Sequence, residues 1–267
     1  YEADAIAQIH FVDESDVQLL FLPLAHSFAR VLVIGWLSTR HVLAFAERAS
    51  TLGENLREVH PTVMAGVPRT YERLAAATVG HTSEGHGTVA AILDLAMKSS
   101  RAHGEAAWTR SPMSVRDTLA YEVFKHTVFV RMGKLLRRAL GGRIRALLSG
   151  GAPLPIKLGW FFRDCGVELL EGYGLTESCA ATTVTRPGRN RIGTVGYALP
   201  GTEIRIADDG EVLIRGQGLM REYWNDPGAT AEVLSEDGWL RTGDIGVLDD
   251  DGALSIIDRK KDIIVMA

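Results

Sequence analysis

Short apolar runs and longer helical-period segments alternate through the first two-thirds of the chain, and period-two alternation takes over beyond it. "DVQLLFLP" and "PTVMAGVP" are apolar runs closed by proline, which reads as buried strands ending in turns. Pro68 stands at a favourable first helical position for "RTYERLAAATV". Asp16 before "VQLL" and Thr39 before "RHVLAFAER" are weak helix-start signals. The polar, glycine-rich stretch over residues 80–90 reads as a surface loop. After it, "AAILDLAMKSSRAH" and "TLAYEVFKHTVFVRMGKLLRRAL" carry apolar residues at helical spacing, with Gly141 and Gly142 as the stop.

The texture then becomes strand–turn–helix. "RIRALLSGG" is a strand ending in glycines, "LPIKLGWFFRDCG" a helix and "VELLEGYG" the next strand, a rhythm that predicts a parallel sheet. From about residue 192 the chain is strands and turns, with Asp-Asp-Gly hairpin signals at 208–210 and 250–252. The pattern therefore predicts an α/β part over residues 1–190, a small β part over 191–257 and a charged segment over 258–267.

Composition narrows the class. The 267 residues are 46% hydrophobic and 23% charged, which suits a globular chain with a sizeable core. A net charge of −4 gives no global field for nucleic acid. Two cysteines, Cys165 and Cys179, are too few for a disulfide framework and point to a reducing, cytoplasmic setting. The most apolar stretch, "VQLLFLPLAHSFARVLVIGWL", is interrupted by Pro23, His26 and Arg30, so it makes a poor membrane span. Lys125, Arg131, Lys134, Arg137 and Arg138 make one region locally basic. It reads either as a solvated helix face or as a surface loosely attracted to an anionic membrane. The chain starts without Met and stops in the apolar run "DIIVMA", which is expected of a piece of something longer.

Two glycine-rich strand ends carry the chemistry. Ligands of open parallel sheets bind at the carboxyl ends of strands. In "LLEGYGLTES", glycines admit a flat ligand or phosphate to the backbone, Tyr173 offers a stacking face, Thr176 can donate to a phosphate and Glu177 can hold Mg²⁺. The same residues also suit a helix start with Thr176 as cap and Glu177 as a first-turn acid. "LLSGGAPLP" is a second such end, and alone it is only a tight turn into a helix. "GWLRTGD" sets Asp244 after a glycine, where it is either a turn aspartate or an acceptor for two ribose hydroxyls. "DRKKD" reads by itself as a solvated turn, and His26 as a structural histidine. His81, His86, His103 and His126 lack metal-ligand spacing, so no zinc site is assigned.

Taken in order, "EGYGLTES", "GTVGYALPGTEIRI", "LMREYWNDPGATAEVLSEDGWLRTGD" and "DRKKDIIV" resemble the motifs of the adenylate-forming enzymes, and "LPLAHSFAR" and "VMAGVPRTYERL" extend the likeness to the front. The wording around "GVPRTYERL" and "LIRGQGLMREYW" is most similar to bacterial long-chain fatty-acid–CoA ligases. The resemblance implies part of a large N-terminal domain, an α/β subdomain followed by a small β-barrel, with residues 258–267 as hinge. It implies ATP, Mg²⁺ and CoA with a fatty acid as substrates and partners, no nucleic acid, and a cytoplasmic setting with peripheral contact at the inner membrane as an option. Gly151, Ala152 and Pro153 would line the adenine pocket with Glu171, Gly172, Tyr173 and Gly174. Thr176 would touch phosphate, Glu177 would hold Mg²⁺, Asp244 and Arg259 would bind ribose, and Lys261 would be the hinge residue. His26 would stand near the acyl carboxylate and Val67 along the acyl tunnel. The family's phosphate loop and C-terminal domain have no match here, so little or no turnover is expected of this chain alone. A fatty-acyl-AMP ligase and a non-catalytic adenylate-binding truncation remain as alternatives.

Overall fold

The computed structural model describes residues 1–83 and 87–260. In chain order it forms α1 (Glu2–Gln8), β1 (Val17–Leu20), α2 (Ser27–Thr39), β2 (Val42–Phe45), α3 (Leu52–Val59), β3 (Val63–Gly66), α4 (Pro68–Ser83), α5 (Gly87–Thr109), α6 (Val115–Phe124), α7 (Val130–Ala139), β4 (Ala146–Ser149), α8 (Ile156–Asp164), β5 (Glu168–Tyr173), β6 (Thr183–Val184), β7 (Tyr197–Ala198), β8 (Thr202–Ile206), β9 (Glu211–Gly216), α9 (Pro227–Val233), β10 (Leu240–Leu248) and β11 (Leu254–Arg259). These make an α/β fold with a small antiparallel β part. They gather into two compact units, residues 1–15, 22–43 and 170–267 in the first, and 16–21 and 44–169 in the second.

The second unit is built on parallel strands. β3 pairs with β1 on one side, Leu19 opposite Met64, and with β4 on the other, Met64 opposite Leu147. All four residues of β3 are buried, as an uninterrupted apolar run between Pro61 and Pro68 should be. Leu19, Met64, Tyr71, Phe129, Met132, Leu136, Leu147, Phe161 and Phe162 share one core. The Tyr71 hydroxyl reaches the Leu148 carbonyl at 2.8 Å, tying α4 to the end of β4. Buried Asp16 meets Arg145 at 2.6 Å and accepts from Thr62 at 2.6 Å.

Between α5, α6 and α8 lies a buried polar knot. Asp164 accepts from the Ser100 hydroxyl at 2.5 Å, the Tyr121 hydroxyl at 2.9 Å and its neighbour Arg163 Nε at 2.8 Å. The His103 ring stacks on Tyr121 with centroids 3.7 Å apart. Burial and the adjacent Arg163 push the His103 pKa down, while burial and Asp164 push the Tyr121 phenol up. Burial likewise pushes the Cys165 thiol up to about 12, so it stays a protonated, unreactive thiol.

The first unit contains α1, α2 and the late strands. The end of β5 pairs antiparallel with β6, and β6 with β7. β8 to β11 form a four-stranded antiparallel sheet in the order β11-β10-β9-β8. The Asp-Asp-Gly sequences close its hairpins, Gly210 between β8 and β9 and Gly252 between β10 and β11. Val212, Ile214 and Leu254 are its buried centre, with Tyr173, Ile204 and Ile256 packed on them. The Trp239 ring lies 4.5 Å from the Arg205 guanidinium and 4.7 Å from that of Arg215. No helix among the described residues is long and apolar enough to cross a membrane.

Four local expectations are corrected. Residues 80–83 and 87–90 of the expected loop are helical, with α4 running to Ser83 and α5 starting at Gly87, and 84–86 lie outside the described residues. The buried face of Leu93, Ala96, Ser100 and Gly104 holds α5, and glycine or polar residues on its early turns cost too little to stop it. Thr39 ends α2 instead of starting a helix, because Arg40 takes the left-handed conformation and the chain turns into β2. Asp16 precedes a strand, where an ion pair and not a cap fixes it. The helix expected over 118–140 is α6 and α7 joined by a wider π turn at 125–129, and it starts earlier because Ser114 accepts from the Asp117 N–H.

Candidate functional site

The loop after β5 shows why a glycine follows Tyr173. A side chain at Gly174 would place its Cβ 2.1 Å from the Ala180 carbonyl oxygen, so only glycine lets the chain fold back on itself there. The return is held by Ala180 N–H to Leu175 O at 2.8 Å and by Leu175 N–H to the Ser178 hydroxyl at 2.9 Å. Thr176–Ser178 form a single 3₁₀ turn preceded by Leu175, so Thr176 lies inside the turn and does not cap a helix. Its side chain is exposed.

Asp244 reaches this loop from β10 because the strand is irregular. Arg241 pairs with Leu213 and Ile245 with Glu211, so three residues of β10 stand opposite Val212 alone. A second irregularity against β11 follows between Ile245 and Gly246. Such bulges turn a side chain out of its regular alternation. Gly243 takes φ +72°, and the Thr242 hydroxyl donates to Val212 O at 2.7 Å while accepting from the Asp244 N–H at 3.1 Å.

Asp244 is thereby buried, 3% exposed, with both oxygens engaged. The Tyr173 hydroxyl donates to Oδ2 at 2.7 Å and Arg259 Nε to Oδ1 at 3.2 Å. Burial first, and the Asp244 hydrogen bond second, push the Tyr173 phenol far above its usual range, so it stays a neutral donor. Each carboxylate oxygen keeps a further acceptor site. Arg259, which meets Oδ1, is itself 65% exposed.

Glu177 is half-buried and accepts from the Tyr223 hydroxyl at 2.8 Å, and its carbonyl accepts from the Met220 N–H at 2.7 Å. That hydrogen bond is the main reason the Tyr223 phenol is raised. Tyr223 is in turn anchored by its N–H to the Thr230 hydroxyl at 2.9 Å, on α9, whose first turn Asp226 caps. Among the described residues no three His, Cys, Asp or Glu gather to hold a metal. A single half-buried carboxylate beside an exposed hydroxyl suits a Mg²⁺ ion delivered on phosphates, since that ion takes one or two carboxylates and keeps its other oxygens from water and substrate.

The structure thus brings Tyr173, Asp244 and Arg259 together in the first unit and sets Thr176 and Glu177 on the same loop as Tyr173. Glu171 and Gly172 are half-buried in β5. His26, also in that unit, is exposed at the start of α2 with no capping bond from its side chain. Gly151, Ala152 and Pro153 belong to the second unit, as an exposed turn after β4, and Val67 is half-buried after β3 there. Lys261 lies outside the described residues. Sequence reasoning missed Tyr223 and Glu211, whose partners are far off in sequence. It also missed Ser149, a strand-end hydroxyl buried without a hydrogen-bond partner; its place before Gly150 and Gly151 was the available signal.

The parallel strands with their glycine-rich ends and the four-stranded antiparallel sheet define an α/β protein. It belongs to the AMP-binding enzyme family, which matches residues 2–224. It is 39% identical over 251 residues to the long-chain-fatty-acid–CoA ligase FadD15 of Mycobacterium tuberculosis, covering 93% of this chain and 40% of that protein. It is 35% identical over 275 residues to long chain acyl-CoA synthetase 4 of Arabidopsis thaliana, covering 94% of this chain and 38% of that protein. Among solved structures, a malonyl-CoA ligase ternary product complex with methylmalonyl-CoA and AMP bound is similar at TM-score 0.67 and 31% identity, covering 97% of this chain and 47% of that one. The N-terminal domain of FACL13 from Mycobacterium tuberculosis is similar at TM-score 0.64 and 25% identity, covering 96% and 54%. The chain spans less than half the length of these curated relatives.

Proposed function

We propose that the chain is the central part of a long-chain fatty-acid–CoA ligase. The observation that carries the reading is the Tyr173–Asp244–Arg259 constellation in a chain of the AMP-binding enzyme family. In the proposed reaction a fatty-acid carboxylate oxygen attacks the α-phosphorus of ATP, the bond to pyrophosphate breaks, and acyl-AMP forms. The CoA thiolate then attacks the acyl carbon and AMP leaves with the electron pair.

Such chemistry depends on positioning and charge neutralisation more than on a nucleophilic side chain. Asp244 accepts from the ribose hydroxyls, with Arg259 beside it. Tyr173, locked by its hydroxyl, offers the adenine a ring that cannot swing away. Thr176 donates to phosphate. Glu177 is the residue to hold Mg²⁺, which when bound offsets phosphate charge. His26 is proposed near the acyl carboxylate, and residues 258–267, with Lys261, as the hinge toward a further domain.

The test is a thermal-shift titration of the chain with non-hydrolysable acyl-adenylates from acetyl to palmitoyl, with AMP as baseline. Ligands that bind only the folded state raise its apparent stability. Shifts that grow with acyl length are expected, because each buried methylene contributes about 0.8 kcal/mol. A folded chain that responds to none of them refutes the reading.

A further inference from the structure

We infer that Glu211 is a positioning residue for the nucleotide ribose, acting through Gly243 and Asp244. The inference rests on the nucleotide reading above. Where three residues of β10 oppose Val212 alone, the ladder with β9 does not supply the Gly243 N–H with a backbone acceptor. Glu211 supplies it from the side: its Oε1 accepts the Gly243 N–H at 3.0 Å. The Gly243 carbonyl accepts the Lys260 N–H at 2.8 Å, and the Lys260 ammonium returns to Glu211 Oε2 at 2.8 Å and to Asp209 at 2.7 Å. Both polar groups of the one peptide residue before Asp244 are therefore fixed by a closed loop of Glu211 and Lys260.

Glu211 is 5% exposed. A buried carboxylate is costly unless its oxygens are matched by donors, and here each oxygen has one. Gly243 sits at φ +72°, and its peptide sets the direction in which the Asp244 side chain leaves the strand. Among the described residues no hydrogen bond or ion pair joins Glu211 to Tyr173 or Arg259. It acts on the carboxylate only through the backbone, so its loss should blunt ribose recognition and leave other nucleotide contacts in place.

The experiment is calorimetric titration of the 267-residue chain with AMP and with 2′,3′-dideoxy-AMP. The wild-type chain is expected to prefer AMP. Glu211→Ala should weaken AMP by roughly tenfold, the scale at which loss of an orienting partner is felt, and leave the dideoxy compound unchanged. Glu211→Gln, which keeps an acceptor for the Gly243 N–H, should restore most of the preference. Lys260→Met should lose part of it, and it decides the matter if Glu211→Ala does not fold. Undiminished preference for AMP in Glu211→Ala, or in Lys260→Met where that variant decides, overturns the inference. Equal weakening of both ligands also overturns it, as a purely structural role. A folded wild-type chain that binds AMP no better than the dideoxy compound defeats the ribose reading itself, and the inference with it.

Discussion

Asp164 in the second unit and Asp244 in the first receive the same two kinds of donor, a tyrosine hydroxyl and an arginine Nε. Their settings differ. Asp164 ends a helix, takes a third donor from Ser100, and its Arg163 is 33% exposed. Asp244 lies on a doubly irregular strand beside a left-handed glycine, has no third side-chain donor among the described residues, and its Arg259 is 65% exposed. The first arrangement is saturated by its own helices. The second leaves acceptor capacity under a side chain that solvent already surrounds. A buried aspartate paired to arginine therefore says little by itself, and the exposure of its partner and the regularity of its strand say more.

The contrast can be broken by mutation. Asp164→Ala should cost the most stability, about 3 kcal/mol or more, because it leaves buried Tyr121 and Ser100 unpaired and removes the counter-charge of half-buried Arg163; urea unfolding measures it, and AMP affinity of the folded chain should not change. Asp244→Ala should cost less stability, yet weaken AMP by roughly thirtyfold, equivalent to about 2 kcal/mol. If the two variants exchanged these signatures, the division between a structural and a ligand-facing aspartate would be wrong. Tyr223→Phe removes one hydrogen bond to Glu177 and should lower unfolding free energy by about 1 kcal/mol in the same denaturation series.

A third carboxylate, half-buried, sharpens the comparison. Glu2 has the Ala181 N–H at 3.1 Å in place of an arginine, and burial pushes it up to about 7 despite that bond and the nearby amino terminus. Its folded pKa lies above the unfolded one, so the folded state holds an extra proton between the ordinary glutamate range and about pH 7. Stability should fall as pH rises through that window and level off above it. Glu2→Gln should remove the fall, giving a higher melting temperature than wild type at pH 8 and none at pH 4.

Much of this was legible in the sequence for physical reasons. Prolines at 61 and 68 bound a strand whose every residue is buried, and Asp-Asp-Gly twice marks a hairpin. "EGYGLTES" and "RTGD" were legible as candidate site loops because glycine spacing is a local signal. That Tyr173 would donate its hydroxyl to Asp244, 71 residues away, was not. The bulge that aims Asp244 depends on pairing with β9 and β11, which no local pattern states. The helical residues 87–90, expected in a loop, have the converse cause, since packing of α5 overrides weak local propensity.

The division of the chain also bears on how it is made. The second unit is nearly continuous, whereas the first joins residues 1–15 and 22–43 to 170–267. The Tyr1 hydroxyl donates to the Pro200 carbonyl, 199 positions on, at 2.7 Å. At ribosomal rates of about 5–20 residues per second, α1 and α2 wait on the order of 10–40 s for their partners to be synthesised. α1 and α2 can pack on each other in that time, but the hydrogen bonds of Tyr1 and Glu2 wait for residues 181–202, while residues 44–169 can already collapse. Slower translation of the last hundred residues should therefore lower soluble yield more than the same delay placed within the middle of the chain.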